Sequence, residues 1–429
     1  MSNMKELSLY AAEGGFLSNE EVAQAVREAV GAYANTGSRV LLVVPDYTRY
    51  HSNAGLIANT IYHTLTGCDV ELMQALGTHF PMTEWECSDM YGDIPFEKFI
   101  PHDWRNDIVK LGEVPAEFVT EVSEGLMTNA IDVEVNRRLV EGGYDLILSI
   151  GQVVPHEVVG MANQAKNLFV GVGGASMINA SHSLGAFYGM ERMMGRDKTP
   201  VRKVFDYALE HFLADLPLHF MLTVCTAPGG VIHTHGLFVG AERVYFEKAV
   251  ALAQQTNLTL VDAPMDKVVV YLNAEEFKST WLGNKSVYRT RMAIADGGEL
   301  IVLAPGVETF GEDPEIDRLI RKYGYCGREK VIELCNTQED LKANMSAAAH
   351  MIHGSSDGRF SITYCTEKVG KEDVEGVCFN YIPYAEAAKR YDPNTLTDGW
   401  HTLPDGEKFF YISNPALGLW ADKAKFNKE

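Results

Sequence analysis

The stretch YDLILSIGQVVPHEVVGMANQAK, Tyr144–Lys166, decides how the chain is built. Its first part is an unbroken apolar run, which predicts a strand ending at Ile150. A strand without polar alternation belongs in a sheet covered on both faces, the habit of parallel sheets in α/β proteins. The second part leaves that strand and sets down a proline, His156 and, ten residues later, Lys166. Ligands of open α/β sheets bind where strands end at their carboxyl edge. An acid/base group and an amine at such an edge are candidates for chemistry.

Two other stretches share this plan. RVLLVVPDYTRYHSN predicts a strand over Arg39–Val44 followed by a polar loop, and DVELMQALGTHFPMT predicts one ending near Ala75. Helical patterns lie around them, over Asn19–Tyr33 and Ala54–Leu65. Strands alternating with helices predict parallel β-α units. A second α/β pattern follows LTLVDAPMD, with strands expected over Lys267–Ala274 and Glu299–Gly306 and a helix over Asn284–Ala295. The expected architecture is therefore two α/β domains, each a mostly parallel sheet flanked by helices, with an active site in the cleft between them. The boundary falls near Asp262–Asp266, giving an N-terminal domain over 1–264 and a C-terminal domain over 265–395. The tail, 396–429, is rich in Pro, Gly, Trp and Phe and is expected to pack back on the body.

The net charge of −21 leaves no basic stripe to neutralise phosphates, which argues against a nucleic-acid partner. No apolar run approaches the ~20 residues of a membrane span. MSNMKELSLYAAEGG lacks the basic start and apolar core of a signal peptide. The seven cysteines are scattered, with no C-x-x-C pair, which suits a reducing compartment. A soluble, cytoplasmic protein is expected.

The predicted strand ends carry Asp46, Thr48 and Arg49, then Thr78 and His79, then Pro155 and His156. If these strands are neighbours, two imidazoles and a guanidinium face one crevice. Arginine binds carboxylate or phosphate through a planar fork, and two imidazoles flanking a carbon can serve as paired acid and base, as inversion at a stereocentre requires. Each residue alone also has a plain structural reading: a satisfied histidine, an Asx turn at Asp46, a surface arginine, a solvated lysine. LFVGVGGAS, Leu168–Ser176, falls short of a dinucleotide fingerprint because Ser176 stands where G-x-G-x-x-G needs glycine. Bound NAD(P) is not expected. His233 and His235, in HTHG, hint at metal but are read as a loop feature of unknown role.

PDYTR (Pro45–Arg49), GTH (Gly77–His79), PHEVVGMANQAK (Pro155–Lys166) and Ser181-His182 together resemble the nickel-pincer nucleotide lactate racemase family of 2-hydroxy acid racemases and epimerases. Order and spacing agree from about residue 10 to about 400, including sixteen residues from Lys166 to His182. The resemblance implies a cofactor, pyridinium-3-thioamide-5-thiocarboxylic acid mononucleotide nickel, tethered through a thioamide to Lys166, with His182 completing the metal's ligands. It implies His79 and His156 as the acid/base pair. Asp46, Thr48 and Arg49 would organise the cofactor, with Arg49 also near the substrate. It implies, too, that the substrate's C2 hydrogen leaves as hydride while a histidine takes the hydroxyl proton, and that the enzymes of cofactor synthesis are partners.

Counting back from Gly297-Gly298, Lys285 falls on the family's substrate-side lysine, with Trp281 nearby. Three residues before it, where lactate racemases have glutamine, stands Leu282. Phe80 replaces the common arginine after GTH, Tyr50 replaces proline after PDYTR, and Asn163-Gln164 replaces the usual glycine pair before the lysine. Losing a hydrogen-bonding glutamine changes what the pocket recognises. Lactate is therefore not the expected substrate. Arg289 and Arg291, with Asn163 and Gln164, suit a longer polar acid such as an aldonate, which would make the reaction a 2-epimerisation. The alternatives are a metal-dependent lyase or dehydrogenase using His79, His156 and His182 as ligands, and a non-catalytic protein that binds small acids or the cofactor.

Overall fold

The computed structural model describes residues 4–416 and 418–428. The first three residues of the N-terminal stretch, and Leu417 and Glu429 of the tail, lie outside the described residues. The chain divides into two compact units. One comprises residues up to Ser181 together with Met194–Asn257, and the other His182–Met193 with the chain from Leu258 onward. The helix Ala175–Tyr188 crosses this division, so that His182 is counted with the second unit.

The first unit is built on a seven-stranded sheet in the order Leu7–Tyr10, His233–Gly240, Leu218–Thr226, Leu146–Gln152, Arg39–Pro45, Asp69–Ala75, Phe99–Pro101. The pairings from Leu218–Thr226 to Phe99–Pro101 are parallel, and the two at the Leu7–Tyr10 edge are antiparallel. Every residue of Leu146–Gln152 is buried, as an apolar strand covered on both faces should be. Helix Asn19–Val30 starts at a capping box, Ser18 with Glu21, and buries the stripe Val22, Ala23, Val26, Ala29 and Val30. Helix Ala54–Thr64 comes so close to Met90 that a side chain at Gly55 would sit 1.8 Å from the Met90 carbonyl oxygen. Only glycine fits there.

The second unit carries a six-stranded sheet, Asn380–Pro383, Ser361–Thr366, Ile294–Ala304, Met265–Tyr271, Lys408–Ile412, Gly399–Thr402, parallel except for the last pair. The tail supplies its last two strands. Leu419–Asp422 pairs separately with Leu258–Val261. Of the tail's aromatics, Phe409 and Tyr411 are fully buried, while Trp400 stays exposed.

The helix expected over Asn284–Ala295 is not formed. Two single turns, Thr280–Gly283 and Lys285–Tyr288, lead to a strand that starts at Ile294. Polar side chains here bond backbone and neighbours in ways that compete with a continuous helix. Thr280 Oγ1 donates to Phe310 O (2.8 Å), Ser286 Oγ to Gly283 O (2.7 Å), and Asn284 Oδ1 accepts from the Tyr364 hydroxyl (2.7 Å).

Arg289 and Arg291, read from the sequence as suiting a longer polar acid, are buried and bonded internally. Arg289 is 7% exposed and donates to Gly418 O. Arg291 is 2% exposed, paired with Glu191 (3.2 Å) and Asp357 (2.7 Å), and donates to Ser355 O. Removing one partner of a buried ion network leaves desolvated charge behind. Arg291→Ala is expected to destabilise the second unit by about 3–5 kcal/mol, read as a lowered urea midpoint. Among the described residues, no helix is long and apolar enough to cross a membrane, and all seven cysteines are free.

Candidate active site

Three of the predicted strands are adjacent and parallel, with Leu41 opposite Ile147 and Val43 opposite Met73, so their carboxyl ends share one edge of the first unit. At the end of Arg39–Pro45 the chain enters a tight turn over Tyr47–Ser52 with Asp46 as its cap. Asp46 Oδ1 accepts from the Thr48 amide (3.0 Å) and the Thr48 hydroxyl. Its other oxygen, Oδ2, accepts from His79 Nδ1 at 2.5 Å, tying together the ends of two neighbouring strands. Burial alone would raise the Asp46 carboxyl. The hydrogen bond and charge of His79, with Thr48 and Arg49, outweigh it and hold the group below the usual carboxylate range. Arg49 lies exposed beside them, with Nη1 3.3 Å from Thr48 Oγ1.

The two histidines are held in different states. A carboxylate at Nδ1 places the His79 proton there and leaves the Nε2 lone pair available as a base, on a side chain 51% exposed. His156 sits in a two-residue pairing of Pro155–His156 with Gly160–Met161. Its Nδ1 accepts from the Val158 amide at 3.1 Å. An amide only donates, so a neutral His156 carries its proton on Nε2. Glu157 Oε2 lies 3.8 Å from the same Nδ1. One ring is set to take a proton, the other to present an N–H.

Lys166 is half-buried, and among the described residues its amine has no hydrogen bond or ion pair. Burial, with the positive charge of Arg49, pushes its ammonium down to about 8, against the opposing pull of Glu157 and Asp46. A substantial fraction of a lysine so placed is a neutral, nucleophilic amine at physiological pH. The two residues that replace a glycine pair, Asn163 and Gln164, both have left-handed backbone, φ 68° and 56°. Their side chains bond the next amides: Asn163 Oδ1 accepts from Gln164 N (2.7 Å) and Gln164 Oε1 from Ala165 N (2.6 Å). The Asn163 amide lies against the strand at Gly151, where a Cβ would be 2.1 Å from Nδ2. Downstream, Asn167 Nδ2 donates to Ser149 Oγ (2.9 Å), fastening the turn to the same strand.

The remaining candidates belong to the second unit. His182 is half-buried on the helix Ala175–Tyr188. Trp281 and Leu282 are half-buried in the turn Thr280–Gly283 and pack on that unit's core, and Lys285 opens the next turn. The sequence left His350 unmarked, yet its ring lies 4.3 Å from Trp281 and its Nε2 3.0 Å from the Tyr325 hydroxyl. Its alanine-rich helix, Met345–His353, shows only packing periodicity.

HTHG is strand, not loop. His233 and His235, two apart on His233–Gly240, share a face, and both rings meet Phe16, at 3.8 and 5.3 Å. Thr226 Oγ1 bonds His235 Nε2 at 2.9 Å. At the end of LFVGVGGAS, Ser176 N at the start of helix Ala175–Tyr188 donates to Glu134 Oε2 (3.1 Å). A carboxylate thus holds the place a phosphate would take. Among the described residues no group of three or more His, Cys, Asp or Glu is gathered as for a metal ion.

Residues 17–195 match the family described as the lactate racemase N-terminal domain. Over those residues the chain is similar to the lactate racemase N-terminal domain family. Its fold is that of two solved structures. One is a crystal structure of a Thermotoga maritima protein, with TM-score 0.80 and 23% identity over 97% of this chain and all of that one. The other is the lactate racemase apoprotein of Thermoanaerobacterium thermosaccharolyticum, with TM-score 0.72 and 17% identity over 95% of this chain and 93% of that one. No curated protein matches the sequence.

Within this racemase-like frame, the residues present fit a covalently held nickel nucleotide. Lys166 offers an unpartnered amine of lowered basicity to an acyl group. Among the described residues no ligand cluster is gathered, so a metal held on Lys166 would bring its donors with the nucleotide, and a soft sulfur set suits nickel.

Proposed function

We propose that the chain is an isomerase, a racemase or epimerase that inverts C2 of a 2-hydroxy acid with a nickel-pincer nucleotide held on Lys166. The observation that carries this reading is the Lys166 amine, without a hydrogen bond or ion pair among the described residues and tuned to about 8, on the same sheet edge as the Asp46–His79 pair and His156. When bound, the nucleotide supplies two-electron redox chemistry at the C2–H bond. The chain's own groups handle the proton and the carboxylate. His79 Nε2 takes the hydroxyl proton, its ring held in the right tautomer by Asp46. His156 presents Nε2–H to the substrate oxygen. Arg49 binds the substrate carboxylate. An imidazole can take the proton of an alcohol as its C2–H bond breaks.

Leu282 offers no hydrogen bond where a glutamine would. With Arg289 and Arg291 committed to internal contacts, the case for an aldonate weakens. Leu282 and Trp281 instead argue for a hydroxy acid with an apolar part.

Protein made together with the enzymes of cofactor synthesis is expected to exceed the chain mass, with the excess on the peptide containing Lys166. Substrate deuterated at C2 should keep its label through inversion. Label washed out to solvent would replace the reading with direct proton abstraction. Substrate oxidised or cleaved instead of inverted would indicate a dehydrogenase or lyase, and binding without turnover across a hydroxy-acid panel would indicate a carrier.

A further inference from the structure

We infer that Arg202 is the positioning residue for Lys166: sealed inside the first unit, its guanidinium fastens the left-handed Asn163–Gln164 turn from which the lysine emerges. Arg202 stands on helix Pro200–Phe212 and is fully buried. Among the described residues, all its side-chain hydrogen bonds go to one four-residue stretch. Nη2 donates to Met161 O (2.7 Å) and Asn163 O (3.2 Å), and Nη1 to Asn163 O (3.3 Å) and Gln164 Oε1 (3.1 Å).

Among the described residues it has no carboxylate of its own. The nearby acids Asp197 and Asp206 are held by Arg243, at 2.8 and 2.9 Å. Arg202 rests instead on the Phe246 ring, 4.3 Å away, and its Nε has no partner. A buried guanidinium without a counter-ion is costly, and a hydrocarbon side chain would fill the same space at lower cost. What the hydrocarbon could not do is hold two carbonyls and an amide oxygen in one rigid fork.

The turn needs holding. Two consecutive non-glycine residues with positive φ carry strain of order 1 kcal/mol or more each, and both are buried here. Arg202 also uses Gln164 Oε1, the oxygen that caps the Ala165 amide next to Lys166. The charged groups acting on the Lys166 amine are Arg49, Glu157, Asp46 and Arg202. Arg202 therefore acts on the amine twice, by fixing its stem and by its charge.

The inference rests on Lys166 being the functional amine. Its test uses protein that has never met the cofactor, so it can fail independently of the racemase reading. Lys166 is acetylated with limiting acetic anhydride across a pH series and quantified by peptide mass, and backbone hydrogen exchange is followed over 161–166. In Arg202→Lys the charge remains but the fork is lost. Exchange over 161–166 should quicken at least tenfold relative to the neighbouring strand, with the acetylation midpoint still near 8. A variant combining R202M, N163G and Q164G removes the charge and the strain together. It should fold, with the midpoint raised by about half a pH unit. Unchanged exchange in the first variant or an unmoved midpoint in the second would overturn the inference. So would failure of the triple variant to fold, since Arg202 would then support more than this turn.

Discussion

Lys166→Met is expected to give a folded, more stable protein that cannot carry the cofactor and inverts no hydroxy acid. Activity should fall to background, because a methionine thioether cannot form the amide-type tether, and the mass of protein made with the cofactor enzymes should equal that of the bare chain. The stability gain follows from the lowered basicity. Below pH 8 both folded and unfolded chains protonate this lysine, and the folded chain pays for burying the charge. Between about 8 and the ordinary lysine value the unfolded chain binds more protons than the folded one, so wild-type stability rises with pH across that window. At pH 7 the methionine variant should be more stable by up to about 3 kcal/mol, reduced by whatever solvent reaches the half-buried side chain. The advantage should fade as pH rises from about 8 to about 10.5. Thermal melts at pH 7 and pH 10 would check this. A gain that does not shrink would mean that the amine is not the source.

His79→Ala should lower the inversion rate by about 10²- to 10⁴-fold while leaving the tether in place. Asp46→Asn should come close to the same loss without removing the imidazole. The Thr48 amide donates to Oδ1 at 3.0 Å, so the asparagine oxygen stays on that side and its NH2 faces His79 Nδ1. Nδ1 must then accept, the ring proton moves to Nε2, and the base is lost. A buried carboxylate-to-amide change of this kind acts through the wrong tautomer and has large effects in hydrolytic triads. The loss should fall on kcat more than KM, whereas Arg49→Lys should fall chiefly on KM. Full activity in Asp46→Asn would remove the base role from His79.

Much of this was legible in the sequence because it depends on local rules. Unbroken apolar runs between helical patterns announced parallel strands buried on both faces, and the chemistry-bearing residues followed directly at the strand ends. The helix expected over Asn284–Ala295 failed because periodicity does not register the Ser, Thr and Asn bonds that break it into turns. Arg289 and Arg291 look like surface charges until Glu191 and Asp357, far away along the chain, are brought against the second of them. Asn163-Gln164 looked like a change in pocket lining. It is a change in how a left-handed turn is supported.

By itself the sequence determined the α/β class and the three strand ends that carry Asp46, His79 and His156, since alternation and punctuation are properties of neighbours along the chain. Only the tertiary structure decided that Asp46 bonds His79, that the two imidazoles hold opposite tautomers, and that a buried arginine from a later helix grips the turn before Lys166. Those depend on which groups meet after folding and on how far water has been excluded from them. Basicity and proton position respond to that local field, and no stretch of sequence contains it.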